Sequence, residues 1–141
     1  MSAVTFSVPG EPQGKGRARF GNGRTYTPEK TVAYEGLIAW AAKQVMGARE
    51  PMTGPVKLSF RAVLSIPISA TKKRRQAMLD GLILPTKTPD LDNILKAIGD
   101  GANKIVFADD AQIVRLGETE KVYGATPGLT VTVERITEAA R

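Results

Sequence analysis

Two groups of carboxylates are the residues of this chain best suited to chemistry. The first lies in the segment Asp90-Leu91-Asp92-Asn93-Ile94-Leu95-Lys96, and the second is the pair Asp109-Asp110. The chain contains no His and no Cys, so any metal ion that it binds must be held by oxygen ligands. Oxygen ligands favour Mg²⁺ or Mn²⁺ over zinc. The pattern therefore predicts a divalent-metal site, on a chain whose formal net charge is +6.

Hydrolysis of a phosphodiester is the reaction that such a site would serve. Metal ions stabilise charge on the phosphoryl group and activate water, and shared carboxylates bridge the ions of a two-metal site. In an extended segment, Asp90 and Asp92 would face the same side and reach one ion, with Leu91 buried between them. Lys96, one helical turn beyond Asp92, would contact the scissile phosphate or orient the attacking water. A return turn would bring Asp109 or Asp110 back beside Asp90.

Each of these residues also has an ordinary structural interpretation. Asp92 is a suitable N-cap for a helix, and Asp92 with Lys96 is a suitable surface ion pair. The pair Asp109-Asp110 before a strand is typical of a turn. Two alternatives to a structure-selective DNA endonuclease therefore remain open at this stage. One is a basic DNA-binding module without catalysis, and the other is a Mg²⁺-dependent nuclease that acts on a different branched DNA or on RNA.

Length and charge restrict the class of protein further. The 141 residues suffice for one domain, residues 1–141, with a single hydrophobic core. A sequence pI of about 9.8 predicts an acidic partner, and nucleic acid is the commonest one. No apolar run reaches the ~18 residues of a membrane span, and the N-terminus lacks the pattern of a secretion signal. We therefore expect a cytoplasmic protein that binds DNA and no membrane.

Basic residues are concentrated in two segments that we predict to contact DNA. The first segment contains Lys15, Arg17, Arg19 and Arg24. These cations alternate with glycines in what the sequence indicates is a long loop, Glu11 to Tyr26, and glycine lets a backbone approach a phosphate chain closely. The second segment is the run Lys72-Lys73-Arg74-Arg75, which is either a solvated helix face or an additional phosphate contact.

The elements that must position these residues follow from apolar periodicity. Alternation predicts strands over Val4–Val8, Val56–Ile66, Gln112–Tyr123 and Leu129–Val133. Helical periodicity predicts a long helix from Thr27-Pro28 to about Met46, a short helix from Lys72 toward Gly81, and a second long helix from Asp92 or Asn93 toward Ile105. The order predicts an α/β fold, a small mixed β-sheet of about four strands packed with two long helices and a short inserted helix.

Each long helix is expected to bury one apolar face. In the first helix, that face comprises Ala33, Leu37, Ile38, Ala41 and Val45. Tyr34 and Trp40 lie beside this face, as core residues or as anchors of a dimer interface. In the second helix, the apolar face comprises Leu91, Ile94, Leu95, Ile98, Ala102 and Ile105. Asp92, Lys96 and Asp100 share the opposite face at intervals of one turn.

Several stretches of the chain resemble the RusA family of Holliday junction resolvases. They are Pro89-Asp90-Leu91-Asp92-Asn93-Ile94-Leu95-Lys96-Ala97-Ile98-Gly99-Asp100, Asp109-Asp110-Ala111-Gln112-Ile113, and a phage-type N-terminal segment from Pro9-Gly10-Glu11-Pro12 to Phe20. The resemblance spans about Val4 to Val133. It implies a homodimer that depends on Mg²⁺, with Mn²⁺ as a substitute, and that resolves four-way DNA junctions by paired symmetric cleavage in recombination and repair. It also implies that the catalytic carboxylates, which hold the metal, are Asp90, Asp92 and Asp110, and that the catalytic Lys is Lys96.

Overall fold

The elements of the fold are defined in a computed structural model, which describes residues 3–16, 19–21, 24–26 and 29–138. The strands are β1 (Ala3–Pro9), β2 (Arg19–Gly21), β3 (Arg24–Tyr26), β4 (Val56–Ser65), β5 (Ile113–Gly124) and β6 (Gly128–Arg135). The helices are α1 (Glu29–Met46), α2 (Lys72–Leu79) and α3 (Leu91–Ala102). A 3₁₀ turn, Asp110–Gln112, leads directly into β5.

Four strands form the main sheet, in the order β1-β6-β4-β5. The β1–β6 and β4–β6 pairs are antiparallel, whereas β4 and β5 are parallel. A parallel pair needs a long crossover connection, and here that connection contains α2, α3 and the 3₁₀ turn. The predicted small mixed sheet with two long helices and a short inserted helix is therefore confirmed. The crossover also carries both groups of carboxylates between two neighbouring strands.

The core lies between one face of this sheet and the two long helices. Leu58, Val131 and Val133 of the sheet and Ile38 and Ile98 of the helices have no exposed surface. Burying each such side chain stabilises the fold by about 1.5–3 kcal/mol relative to leaving it in water. The opposite face of the sheet is polar, and the hydroxyl oxygens of Thr5 and Thr132 hydrogen-bond across β1 and β6 at 3.0 Å. The layers are thus helices on one side and solvent on the other.

The buried face of α1 differs from the predicted one. Ile38 and Ala41 are buried as expected, but Ala33, Leu37 and Val45 are exposed. The buried residues are Thr31, Tyr34, Ile38, Ala41, Ala42 and Met46. Consecutive apolar residues on a helix leave its rotation ambiguous by about one residue, and packing against α3 and β1 selects the face that is buried. Tyr34 therefore belongs to the core, whereas Trp40 is exposed.

Helix α3 begins earlier and ends earlier than predicted. Its first residue is Leu91 and its last is Ala102, so Ile105 lies beyond the helix. Ile94, Ile98 and Ala102 are buried as predicted, but Leu91 is 39% exposed. Leu91 is not covered because it faces an open apolar pocket of about 420 Å³ beside β5. The prediction that Leu91 is buried between two carboxylates was therefore wrong.

Two further local predictions can be compared with the structure. The segment predicted as a loop from Glu11 to Tyr26 contains the antiparallel strands β2 and β3, which the mixture of Gly and basic residues conceals from a period-two search. The predicted helix start at Thr27-Pro28 lies outside the described residues. Thr71 caps α2 by accepting a hydrogen bond from the backbone N–H of Arg74 at 3.2 Å.

None of the helices in the described ranges combines the length and hydropathy needed to cross a membrane.

Candidate active site

The two carboxylates at the beginning of α3 are placed differently from the extended arrangement that the sequence predicted. Asp90 is the N-cap residue, with extended backbone angles (φ −74°, ψ 152°), and Asp92 already lies in the first helical turn. The alternation of an extended segment therefore does not apply to this pair. Both side chains are exposed. They are directed to solvent from the positive end of the helix dipole, which favours negative charge there.

Asp92 begins a line of residues along one side of α3, which is exposed at Asp92 and Lys96 and buried at Gly99. Lys96 is one turn further along and Gly99 nearly one turn beyond that, spacings that place side chains on the same face of a helix. Lys96 is exposed and, among the described residues, makes no ion pair. An exposed ammonium without a carboxylate partner beside two acidic residues is available to an external phosphate.

Asp110 lies against this same line of residues. A Cβ built on Gly99 would be 3.4 Å from Oδ2 of Asp110 and 3.6 Å from its Cβ. A Cβ at Gly99 would thus touch Asp110 at ordinary van der Waals distance, so the Asp110 side chain lies directly against α3 at this residue. The structure brings Asp110 to the middle of α3 rather than beside Asp90, where a return turn was predicted to place it.

Gln112 fixes the turn that carries Asp110. Its side-chain amide donates to the carbonyl oxygens of Met52 and Gly54, at 2.9 Å each, and its amide oxygen accepts from the backbone N–H of Asp109 at 2.9 Å. All these contacts are internal to the protein, so Gln112 is a structural residue. Asp109 is the N-cap of the turn, and Asp110 is the acid that faces α3.

The donor chemistry of the three carboxylates fits a hard divalent cation. Among the described residues, no hydrogen bond or ion pair occupies the side chains of Asp90, Asp92 and Asp110, and all three are exposed. Carboxylate oxygens with no protein partner are the ligands that Mg²⁺ and Mn²⁺ prefer. Within the described part of the chain, however, no three acidic side chains lie close enough to hold one ion. Asp92 and Gly99 are about two turns apart, or ~10 Å along the helix axis, which is why the three acids are not gathered.

Lys15, predicted from the sequence to contact DNA, has two acidic partners inside the protein. Its Nζ lies 2.8 Å from Oδ2 of Asp100 on α3 and 3.0 Å from Oε2 of Glu35 on α1. These hydrogen bonds, first to Asp100 and then to Glu35, raise the pKa of Lys15 above its usual value. Lys15 thus links the N-terminal segment to both long helices. Sequence reasoning missed this role because the three residues are far apart in the chain.

Lys121 on β5 is a second lysine with an unpredicted position. Its Nζ donates to the carbonyl oxygens of Lys87, at 2.7 Å, and of Pro89, at 3.1 Å. These contacts attach the segment immediately before Asp90 to the parallel strand pair. The alternation of β5 gave the position of Lys121 on a strand, but no local pattern indicates that its side chain crosses to this connector.

The remaining predicted DNA contacts are in part outside the described portion of the chain. Arg17 lies outside the described residues, and so do the side chains of Arg19 and Arg24, whose backbones belong to β2 and β3. Lys72 and Lys73 are exposed at the beginning of α2, where both are accessible to an external anion.

The hydroxyl of Tyr34 is buried with the backbone N–H of Gln13 near it, and this burial raises the pKa of Tyr34 to about 12.

Comparisons with known proteins show the family to which this chain belongs. Residues 9–134, nearly the whole chain, match a family model described as endodeoxyribonuclease RusA. The Bacillus subtilis (strain 168) protein YqaN, described as uncharacterized, is 31% identical over 142 residues, which cover 96% of this chain and 99% of that protein. The range matched by the family model includes Lys15, both groups of carboxylates and Lys96.

Proposed function

This chain belongs to the RusA family of endodeoxyribonucleases, and from that premise we propose that it is a Mg²⁺-dependent nuclease that resolves four-way DNA junctions. The observation that carries the proposal is the position of Asp110, whose carboxylate lies against Gly99 on the same side of α3 as Asp92 and Lys96. Asp92, Lys96 and the Gly99 that Asp110 contacts share one side of α3, and Asp90 lies at the N-terminus of the same helix, on a chain of net charge +6. That combination suits a cation and a polyanion together.

The proposed roles follow from the chemistry of each side chain. Asp90, Asp92 and Asp110 would hold Mg²⁺, or Mn²⁺ in its place, which would supply charge stabilisation at the phosphoryl group and a more acidic water. Lys96 would donate hydrogen bonds to the scissile phosphate, where negative charge increases in the transition state. Because a divalent cation offsets the mutual repulsion of the acids, metal binding would favour a closer arrangement of the three carboxylates.

The proposed substrate accounts for the basic surfaces. Arg17, Arg19 and Arg24 of the N-terminal segment and Lys72 and Lys73 of α2 would bind phosphates outside the reacting group. A four-way junction has near two-fold symmetry, so two opposed cuts require two active sites on one complex. We therefore propose a homodimer, which presents both sites at once and doubles the formal charge to +12, twice the +6 of one chain.

Cleavage of a labelled four-way junction, compared with a linear duplex of the same sequence, tests the proposal. With Mg²⁺ or Mn²⁺ the wild-type protein is expected to convert the junction into nicked duplexes and to leave the linear duplex largely intact. Without metal, it should bind the junction but not cut it. Asp92→Asn should abolish cleavage and keep junction binding, because the amide is a poorer ligand of the same shape.

Four outcomes would contradict the proposal in different ways. Binding without cleavage under every metal condition would favour a DNA-binding module without catalysis. Equal cleavage of junction and duplex would favour a less selective nuclease. Preferential cleavage of RNA would show that the substrate is RNA rather than junction DNA. Cleavage by Asp92→Asn at the wild-type rate would remove Asp92 from the site.

A further inference from the structure

Lys15 lies beside the proposed active site in a role that the proposed chemistry does not use. Its ammonium contacts Asp100 at 2.8 Å and Glu35 at 3.0 Å, and its backbone N–H donates to the carbonyl oxygen of Asn93 at 2.9 Å. A Cβ added to Gly14 would lie 2.7 Å from Cβ of Asn93. The N-terminal segment therefore packs directly on α3, which fixes Lys15 through both its backbone and its side chain.

Asp100 is one of two acids at helical spacing from Lys96. Asp92 precedes Lys96 by four residues and Asp100 follows it by four, so each is a neighbour on the helix surface. Helical side chains lean toward the N-terminus, so Lys96 leans toward Asp92 while Asp100 leans toward Lys96. Without a partner of its own, Asp100 would attract the ammonium of Lys96 away from Asp92 and from a phosphate bound there.

We propose that Lys15 neutralises Asp100 and thereby keeps Lys96 available to the DNA phosphate. Lys15 is then a positioning residue of the active site rather than a DNA contact. The inference rests on the proposed function, because it takes Lys96 as the residue that acts on the phosphate. The side chain of Lys15 is 29% exposed and already pairs with two acids, so little of its charge is left for an external polyanion.

Lys15→Met and Lys15→Met/Asp100→Asn, compared in single-turnover cleavage of a four-way junction with Mg²⁺, test the proposal. The single variant is expected to cut roughly three- to tenfold more slowly, because an uncompensated charge about one helical turn from Lys96 opposes its interaction with phosphate. The double variant should cut within about twofold of Asp100→Asn alone. In both variants the dependence of log K on log salt should stay at the wild-type slope, since no phosphate contact has been lost.

Glu35→Gln is the matched control, because it removes one ion pair of Lys15 but leaves Asp100 neutralised. It is expected to cut at about the wild-type rate. Asp100→Asn also removes the carboxylate that Lys15→Met leaves without a partner, so thermal melting of both variants separates a recovered rate from recovered stability. Lys15→Arg, which keeps the charge, should retain most of the activity and provides a second comparison if Lys15→Met folds poorly.

The possible results separate the inference from the proposed function. A defect of Lys15→Met that persists in the double variant would overturn the inference. So would a salt slope reduced by about one unit in Lys15→Met, which is the expectation for a direct phosphate contact. If the wild-type protein cuts no junction with any metal, the proposed function fails first, whereas wild-type cleavage without rescue defeats the role of Lys15 alone.

Discussion

At Gly99, an acid from the other end of the crossover lies against α3. That acid is Asp110, and its neighbour Asp109 serves as the N-cap of the 3₁₀ turn that carries both. Two adjacent identical side chains thus have different environments. Because of this difference, and because the ammonium of Lys96 is exposed, single substitutions at these residues test the proposed chemistry directly.

Asp110→Asn is expected to reduce cleavage roughly a hundredfold or more, because the carboxylate proposed to hold the metal near the developing charge is lost. Asp109→Asn changes the net charge by the same amount but keeps a residue that caps a turn equally well. It should cut within a few-fold of the wild-type rate. Initial rates measured over a Mg²⁺ titration distinguish the two variants, and equal losses in both would place the metal ligand elsewhere.

Lys96→Ala is expected to lower the single-turnover rate about 10²–10³-fold. Junction affinity should change little, because one lysine supplies a single phosphate contact among many. Lys43→Ala, which removes an exposed lysine from the last turn of α1, is the control for the loss of one positive charge. Parallel losses of binding and cleavage in Lys96→Ala would make Lys96 a docking residue instead.

At the scale of elements, the proposed active site depends on how closely α3 packs on α1. The two helices approach closely at Gly101, where an added Cβ would lie 2.8 Å from Cβ of Ile38 and 3.0 Å from the carbonyl oxygen of Glu35. The contact is with backbone as well as with a β-branched side chain, so neither partner can move away easily. The same helix carries the acids, which couples core packing to the site.

Gly101→Ala is therefore expected to destabilise the protein by about 1–3 kcal/mol in urea unfolding, as overpacked core positions do. Gly36→Ala is the matched control, because Gly36 lies in α1 and a Cβ there meets nothing within 4 Å. The control should be neutral or stabilising by up to about 1 kcal/mol, from helix propensity alone. A neutral Gly101→Ala would mean that α1 and α3 separate readily.

The N-terminal basic segment and helix α2 are both expected to contribute to the salt dependence of DNA binding. Replacing Arg17, Arg19 and Arg24 by Ala should reduce the slope of log K against log salt by up to roughly three units. Replacing Lys72 and Lys73 on α2 should reduce it by up to roughly two. The slopes from junction-binding titrations at several salt concentrations compare the two elements. An unchanged slope in the first variant, with a reduced slope in the second, would move the DNA-binding surface to α2.

At the scale of the whole molecule, the exposed face of α1 is the best candidate for a dimer interface. Trp40 is 61% exposed and Leu37 is 48% exposed, and both lie on the side of α1 away from the core. Aromatic anchors are enriched at interfaces. Light scattering is expected to give about 30.2 kDa, twice the 15.1 kDa of one chain.

Trp40→Asp should shift this mass toward the monomer and leave four-way junctions nicked on one strand at a time, because the two cuts are no longer made in one complex. Ile68→Asp is the control, since Ile68 is 98% exposed and lies outside α1. It should keep both the mass and the paired cuts. Full paired cleavage by a wild-type protein of about 15.1 kDa would contradict the dimer.

The sequence by itself determined the order of the main-sheet strands and the three helices, and it indicated the family. Apolar alternation and helical periodicity are local, so they identified the four strands of the main sheet, and the absence of His and Cys restricted any metal to oxygen ligands. The resemblance to the RusA family was confirmed by the match over residues 9–134. Whether Asp90, Asp92, Asp110 and Lys96 act as that resemblance implies stays a prediction.

Only the tertiary structure decided which residues meet across the chain. The buried face of α1, the position of Asp110 on Gly99, and the contacts of Lys15 with Glu35 and Asp100 all depend on how separate elements pack. Spacing along the chain carries no information on such contacts, because each is selected by the shape and charge of a distant partner. The composition of the segment around Lys15 predicted a contact with a DNA phosphate. In the folded chain, the Lys15 ammonium instead contacts the carboxylates of Glu35 and Asp100.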